Sequence, residues 1–395
     1  MHQPPRLALL AFHVLLPGFF AYHFLLAKSL IPPLFGGYST AMAMLWVLPL
    51  ALLFLQRVLL RPDQRGSMDA SFITFLVYMA VVLLLHMAIT SRGEAAAEQI
   101  GVLPQFLVLY VVARLVPPLA PGLRRALIVA LLAMSVAIVT NADEGTFFAA
   151  SFDVLGTADY FANYQAYGFV YTVCLLYVLC ATPSGKHRAL IYAFALPTLF
   201  LNGARTELIG VVLLTVVLEF ALSRHKLLTL AIAAACMAGL AALLPVLADI
   251  YPESRTIFLF LDYSDDLSKL ERARMLADGW ESILASPWTG ALGSHKPGEH
   301  IHNALSAWVD LGLPGFTAYA LLVALPLVDM LLLRRIDLRD PDYRLALSLA
   351  CLMALFALTA KHYTHQLLPL ALGAYARYAV TRRSPQPGVL TPCQS

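Results

Sequence analysis

Two imidazoles stand close together in Glu299-His300-Ile301-His302-Asn303, and Asp310 follows at the head of Asp310-Leu-Gly312-Leu-Pro-Gly315. Imidazole exchanges a proton near neutral pH, so either histidine has the chemistry to deprotonate an incoming hydroxyl in a group transfer. The plainer reading is a polar residue at an interface, the commoner fate of histidine. Asn303 and Asp310 fall two turns apart on one helical face, and Gly312, Pro314 and Gly315 are able to bend a helix and admit close packing. Lys361, His362 and His365 form a second polar group that either lines the same cavity or caps helix ends. Arginines supply the anion-binding chemistry. Two readings fit Arg205, which follows Asn202-Gly203-Ala204. It is an anchor whose guanidinium reaches the lipid headgroups, or a phosphate clamp beside the free amides of the helix that starts there. Arg272 and Arg274 lie about 200° apart around a helix. With glutamates nearby, each taken alone reads as part of a solvated face.

These groups need a scaffold, and composition names its class. Hydrophobic residues make up 60% of the 395, charged residues only 13%, and the mean hydropathy is +0.74. Those values lie far from soluble domains and describe an all-α polytopic membrane protein. A membrane-crossing helix takes about 20 mostly apolar residues. Such stretches recur at roughly 7–26, 40–60, 71–90, 102–116, 126–140, 161–181, 189–201, 207–222, 227–247, 304–333, 345–360 and 363–380, which suggests about twelve transmembrane helices. Pro104, Pro197 and Pro369 are expected to shorten or break three of them.

Orientation follows from charge, because Lys and Arg are retained in cytoplasmic connections. With the amino terminus inside, sixteen of the 27 Lys and Arg residues fall in cytoplasmic connections, nine fall outside, and Arg114 and Arg377 lie within spans near the inner end. Both termini are then cytoplasmic. Six of the nine outward cations gather near residue 205 and within 249–302, so they call for a reason other than topology.

One connection is long. Residues 248–302 form an external segment in which Leu267, Leu270, Ala273, Ala277, Trp280 and Leu284 recur at helical spacing, with Glu271, Asp278 and Glu281 elsewhere around the wheel. This pattern predicts an amphipathic helix over the membrane face, ended by Ser286-Pro287 and joined to the histidines by a glycine-rich link. The loop from Asn141 to Tyr160 is acidic and aromatic. The chain reads as a single transmembrane domain, residues 1–383, with a disordered cytoplasmic tail, 384–395. The first apolar stretch runs on from Arg6 without a small-residue cleavage site and is expected to be a retained span. Five cysteines without metal-type spacing predict neither a disulfide nor a bound metal, and a net charge of +3 makes no case for nucleic acid.

The order of these segments resembles the O-antigen ligase and polymerase superfamily of bacterial inner membranes, and most closely the ligase branch. The resemblance covers residues 159–330. It rests on Arg205 at a span end, an external arginine helix ending in Ser286-Pro287-Trp288-Thr289-Gly290, and His302-Asn303 before Asp310-Leu-Gly312-Leu-Pro-Gly315. Asp159 with Tyr160-Phe161-Ala162-Asn163 is a fainter match to another recurring segment. The sequence departs from the pattern at Ala204, where the family often has serine, and in Gly290-Ala-Leu-Gly293, which is one residue longer than the usual glycine pair.

The resemblance implies a transferase without metal or cofactor, taking a glycan from undecaprenyl pyrophosphate at the periplasmic face and passing it to a sugar of the lipid A core. It implies that Arg205 and Arg272 bind the donor pyrophosphate and that His302 activates the acceptor. Arg274, His300, Asn303, Asp310, Lys361 and His362 would be in support. An O-antigen polymerase or a protein O-oligosaccharyltransferase would use the same donor; the ligase is preferred because the single modest external segment offers no further domain. A polyprenyl-lipid or solute transporter is the rival of another class. It would place ionisable groups near the bilayer midplane, where His13 and His86 are the main ones here.

Overall fold

A computed structural model of the chain describes residues 4–34, 37–89, 99–143, 146–147, 164–251, 254, 256–257, 267–293, 301–333 and 336–382. Helices account for nearly all of it. They begin with α1 (Arg6–Leu15), α2 (Pro17–Ala27), α3 (Gly37–Phe54, extended by a π turn to Leu59), α4 (Ser67–Ile89), α5 (Val102–Leu115) and α6 (Leu123–Thr140). A two-residue antiparallel ladder, β1 (Ala142–Asp143) with β2 (Thr146–Phe147), precedes α7 (Tyr164–Cys180), α8 (Gly185–Asn202), α9 (Arg205–Leu222) and α10 (Lys226–Ile250). Then follow α11 (Leu267–Ala285), α12 (Leu305–Val328, extended by a π turn to Leu333), α13 (Pro341–Thr359) and α14 (Leu367–Thr381).

Seven of these segments are long and apolar enough to cross a membrane: Arg6–Ala27, Gly37–Leu59, Ser67–Ala88, Leu123–Thr140, Lys226–Ile250, Leu305–Leu333 and Pro341–Thr359. Sequence alone suggests about twelve. The remaining apolar helices are short, as α5, α7 and α14 are, or carry charge, as α8 does at Lys186 and Arg188 and α9 at Arg205, Glu207 and Glu219. The first stretch is not one straight helix: Leu16, ahead of Pro17, leaves the helical region and divides it into α1 and α2. Proline acts differently elsewhere. Pro104 and Pro369 sit in the first turns of α5 and α14, where no intrahelical N–H is needed, so they start helices rather than break them.

Burial separates a packed centre from a lipid-facing perimeter. Every residue of α7 from Tyr167 onward is buried, as is every one of α14 from Leu367 to Val380. Only 6% of the apolar window of α10 is buried, against 67% for α13. Leu227, Met237, Leu48, Leu84 and Val129 lie exposed on outer helices. So wide an apolar surface is a liability in water and the expected finish of a helical protein in lipid. At the centre, two buried tyrosine hydroxyls find acceptors: Tyr110 donates to Asp69 Oδ1 at 2.6 Å, and Tyr343 to the Met330 carbonyl at 3.0 Å.

The two ends of the bundle differ in chemistry. At one end, arginines are tied into carboxylates and helix-end carbonyls. Arg114 pairs with Asp69 at 3.1 Å and donates to the Gln64 carbonyl; Arg188 pairs with Glu219 at 2.6 Å; Arg344 donates to the Cys180 carbonyl; Arg377 pairs with Asp342 at 2.8 Å and donates to the Ala113 and Val116 carbonyls. All four arginines are buried and held in structural pairings. Lys361 and Gln366 stand at the other ends of α13 and α14. Seventeen residues separate Arg344 from Lys361, about 25 Å of helix.

The amphipathic helix expected over residues 267–285 is α11. A Cβ on Gly279 would collide with the Ile301 side chain, so the missing side chain lets α11 seat against Ile301 and Val309, with Ile283 completing the cluster. Earlier in the same segment, Thr256 donates to the Phe200 carbonyl at the end of α8. The acidic loop beyond Phe147, Asp159 to Asn163, Glu299, His300 and the tail 384–395 lie outside the described residues.

Candidate functional site

The site begins with a break. Gly312, inside α12, has φ 70° and ψ −179°, a conformation only glycine adopts without strain, and the helix stops and restarts there. A break exposes backbone groups that must find partners. The Tyr78 hydroxyl donates to the Leu311 carbonyl at 2.7 Å, Ala291 N to the Val309 carbonyl at 2.6 Å, and Leu313 N to the Pro287 carbonyl at 2.9 Å. Trp308 Nε1 also donates to Pro287 O, at 2.9 Å. The Ser286–Gly293 strap is thereby stitched to the start of α12, and the spacing of Gly312, Pro314 and Gly315 marks a discontinuity rather than a gentle bend.

The connection between α13 and α14 meets the same place. Ala304 N donates to the Ala357 carbonyl at 2.6 Å and Tyr363 N to Ser306 Oγ at 3.0 Å. Asn303 Oδ1 accepts from Leu305 N at 2.9 Å, which makes it a cap of α12. Asp310 is fully buried: Gln99 Nε2 donates to its Oδ2 at 3.0 Å, and His362 Nε2 lies 3.4 Å from the same oxygen. The Tyr363 hydroxyl donates to Gln99 Oε1 at 2.7 Å. Asp310 therefore positions His362, whose Nδ1 is 2.8 Å from Thr364 Oγ1.

Lys361 has a carboxylate of its own. Its Nζ lies 2.8 Å from Glu207 Oε1 and donates to Gln165 Oε1 at 2.9 Å, with both charged residues buried. Glu207 is in the first turn of α9, two residues after Arg205, where a carboxylate also suits the helix dipole. Arg205 is the first residue of α9, directly beyond the corner made by left-handed Gly203.

A cavity of about 510 Å³ opens among these elements. His302, Lys361, His362, Thr364 and His365 line it, with Gln105, Gln165, Gln366, Ser39 and the rings of Phe19 and Phe169. The volume is that of a small-molecule site, about 300–1,000 Å³. His302 is half-buried, and burial together with the positive charges of Arg272, His362 and Lys361 lowers its pKa below the ordinary histidine value. It is thus neutral near pH 7 and able to accept a proton. His365 is edge-on to Phe169 and Phe356.

The structure brings together His302, Lys361 and His362 directly, Asp310 behind His362, and Arg272 through its charge on His302. It separates the two arginines of α11: Arg274 pairs with Asp278 at 3.7 Å on a face where both side chains are mostly exposed. Sequence reasoning missed Glu207, Gln99, Gln105, Gln165 and Gln366. For Glu207 a signal was present, an acidic residue at the head of an apolar span beside an outward arginine. The glutamines carry none, because an amide near a helix end is common in any chain. His13 and His86 instead bond the carbonyls of Leu9 and Val82 one turn back, a local use. Among the described residues, no group of three or more His, Cys, Asp or Glu side chains is placed to hold a metal ion.

Fold and site together define a helical protein with the apolar surface of a multi-pass membrane protein and a polar cavity, lined by three histidines and Lys361, at one end of the bundle. No protein-family model and no curated protein matches the chain.

Proposed function

We propose that the chain is a glycosyltransferase of the bacterial inner membrane acting at the periplasmic face, an O-antigen ligase that moves a glycan from undecaprenyl pyrophosphate to a sugar hydroxyl of the lipid A core. The observation that carries the reading is the cavity lined by His302, Lys361 and His362, in which burial and the nearby Arg272 charge keep His302 neutral and able to accept a proton. In this reading the bundle crosses the membrane about twelve times, the arginine-rich end is cytoplasmic with both termini, and the segment 248–302 roofs the cavity on the outside.

A glycosyl pyrophosphate is already activated, so the protein mainly supplies positive charge for the leaving group and one base. The acceptor oxygen attacks the anomeric carbon and gives its proton to His302. The bond from that carbon to the pyrophosphate oxygen breaks, and undecaprenyl pyrophosphate leaves with the electron pair. Arg205 and Arg272 hold the pyrophosphate, and configuration at the anomeric carbon inverts. Lys361 adds positive charge beside His302, and Asp310 orients His362.

The test is transfer by purified protein in lipid nanodiscs from lipid-linked O-antigen to lipid A core oligosaccharide, comparing wild type with His302→Ala and Arg205→Ala. Core attachment lost in both variants is expected. Undiminished attachment in both refutes the site, and chain lengthening without core attachment assigns the protein as a polymerase.

A further inference from the structure

Beside its cations, the cavity has an uncharged polar lining that the transfer step does not call on. Gln105 comes from α5, and Gln366 leads into α14. Their amides are joined: Gln366 Nε2 donates to Gln105 Oε1 at 2.7 Å, and Gln105 Nε2 donates to Thr40 Oγ1 at 3.2 Å. A primary amide has two N–H donors and a carbonyl with two lone pairs. The two bonds leave Gln366 Oε1 and a second N–H on each amide for whatever enters. The rings of Phe19 and Phe169 line the same space.

Such a lining selects by chemistry. A phosphate, which only accepts, would take the two N–H groups but leave Gln366 Oε1 without a donor, and a polyprenyl chain would leave the amides without partners. A pyranose fits both components, because its hydroxyls donate and accept while its C–H face packs on an aromatic ring. The chain holds the two amides in fixed register, each oriented by the next, so the surface is preorganised.

We infer that Gln105 and Gln366 form a recognition subsite for a neutral, hydroxyl-rich sugar ring and determine which sugar the protein accepts. The inference rests on the glycan-transfer reading for its consequence, selectivity, though not for binding itself. The ring belongs either to the donor glycan or to the acceptor core, and the chemistry is shared.

Binding is measured first, by saturation-transfer NMR of the full chain in nanodiscs with methyl glucoside, methyl galactoside and methyl N-acetylglucosaminide. At least one should bind wild type, and Gln105→Met and Gln366→Met, both of unchanged thermal stability, should each weaken it about tenfold. In the transfer assay the same variants should raise KM about tenfold with little change in kcat. A shift in donor KM assigns the ring to the donor, and a shift in acceptor KM to the core. Glycoside binding without any transfer by wild type keeps the subsite and overturns the ligase reading. No glycoside binding to wild type, or binding and KM both unmoved in stable variants, overturns the subsite.

Discussion

Gly290 and Gly312 meet backbone to backbone: a Cβ on Gly290 would lie 2.6 Å from the Gly312 nitrogen, and one on Gly312 would lie 2.9 Å from the Gly290 nitrogen. Both have positive φ, 74° and 70°. The strap that ends α11 is therefore pressed into the gap where α12 breaks, and the helix bearing Arg272 is fixed relative to the segment bearing His302. Positions 290 and 312 are far apart in the chain yet act as one joint.

Alanine at Gly312 should accordingly cost more than its own backbone penalty. This extended, positive-φ conformation alone costs a non-glycine residue about 1–3 kcal/mol, and the added carbon also collides with the backbone of Trp288. Thermal unfolding in detergent should show a lowered midpoint for Gly312→Ala and for Gly290→Ala. The double variant should lose less than the sum, because the first collision already opens the joint. Additive losses would show that the two glycines do not share one contact.

The buried pair Lys361 and Glu207 makes a different prediction. Removing one partner strands a charge, at a cost of about 3–5 kcal/mol, whereas replacing both with apolar residues of similar size is often close to neutral. Lys361→Met should thus destabilise the protein severely, and Glu207→Leu with Lys361→Met should recover most of the unfolding midpoint. A double variant no more stable than Lys361→Met would mean that Gln165, which also receives the Lys361 ammonium, carries the energetics.

Local pattern and long-range pairing were unequally readable in the sequence. Apolar runs and turn residues placed the amphipathic helix over Leu267–Ala285 and its stop at Ser286-Pro287, because both depend on neighbours within a few positions. The same reasoning read Gly312, Pro314 and Gly315 as a bend, and separated Arg272 from Arg274 by helical angle alone. The partners of the polar residues were not legible. Glu207 meets Lys361, and Gln99 meets Asp310, from distant parts of the chain, and no spacing encodes that. Short, charge-bearing helices such as α9 are likewise poorly delimited by hydropathy, because central packing replaces lipid contact as the reason they are apolar.

Arginines of similar position should divide by environment. Arg274 shares an exposed i,i+4 pair with Asp278, and such pairs are worth about 0–1 kcal/mol. Arg274→Ala should leave both stability and transfer within about twofold of wild type. Arg205→Ala removes charge-assisted donors from the proposed pyrophosphate site and should lower kcat/KM for the lipid-linked donor about ten- to a hundredfold. Equal losses in the two variants would place the donor elsewhere.

The sharpest readout is the acid limb of the pH profile. Burial and the charges of Arg272, His362 and Lys361 lower the pKa of His302 from its ordinary value of 6.5. A base with a lowered pKa stays unprotonated further into acid, so kcat/KM should hold on falling through pH 6.5 and decline only below it. Arg272→Gln removes one of the charges responsible and should move that limb up toward 6.5, apart from any loss in donor binding. Stability follows the same sign: between the ordinary and the lowered pKa the unfolded chain binds the His302 proton and the folded one does not, so this contribution is present above 6.5 and lost as pH falls. His302→Ala should abolish that pH dependence and cost about 10²–10⁴ in kcat. An acid limb at the same pH in wild type and Arg272→Gln would mean that the Arg272 charge does not act on the proposed base.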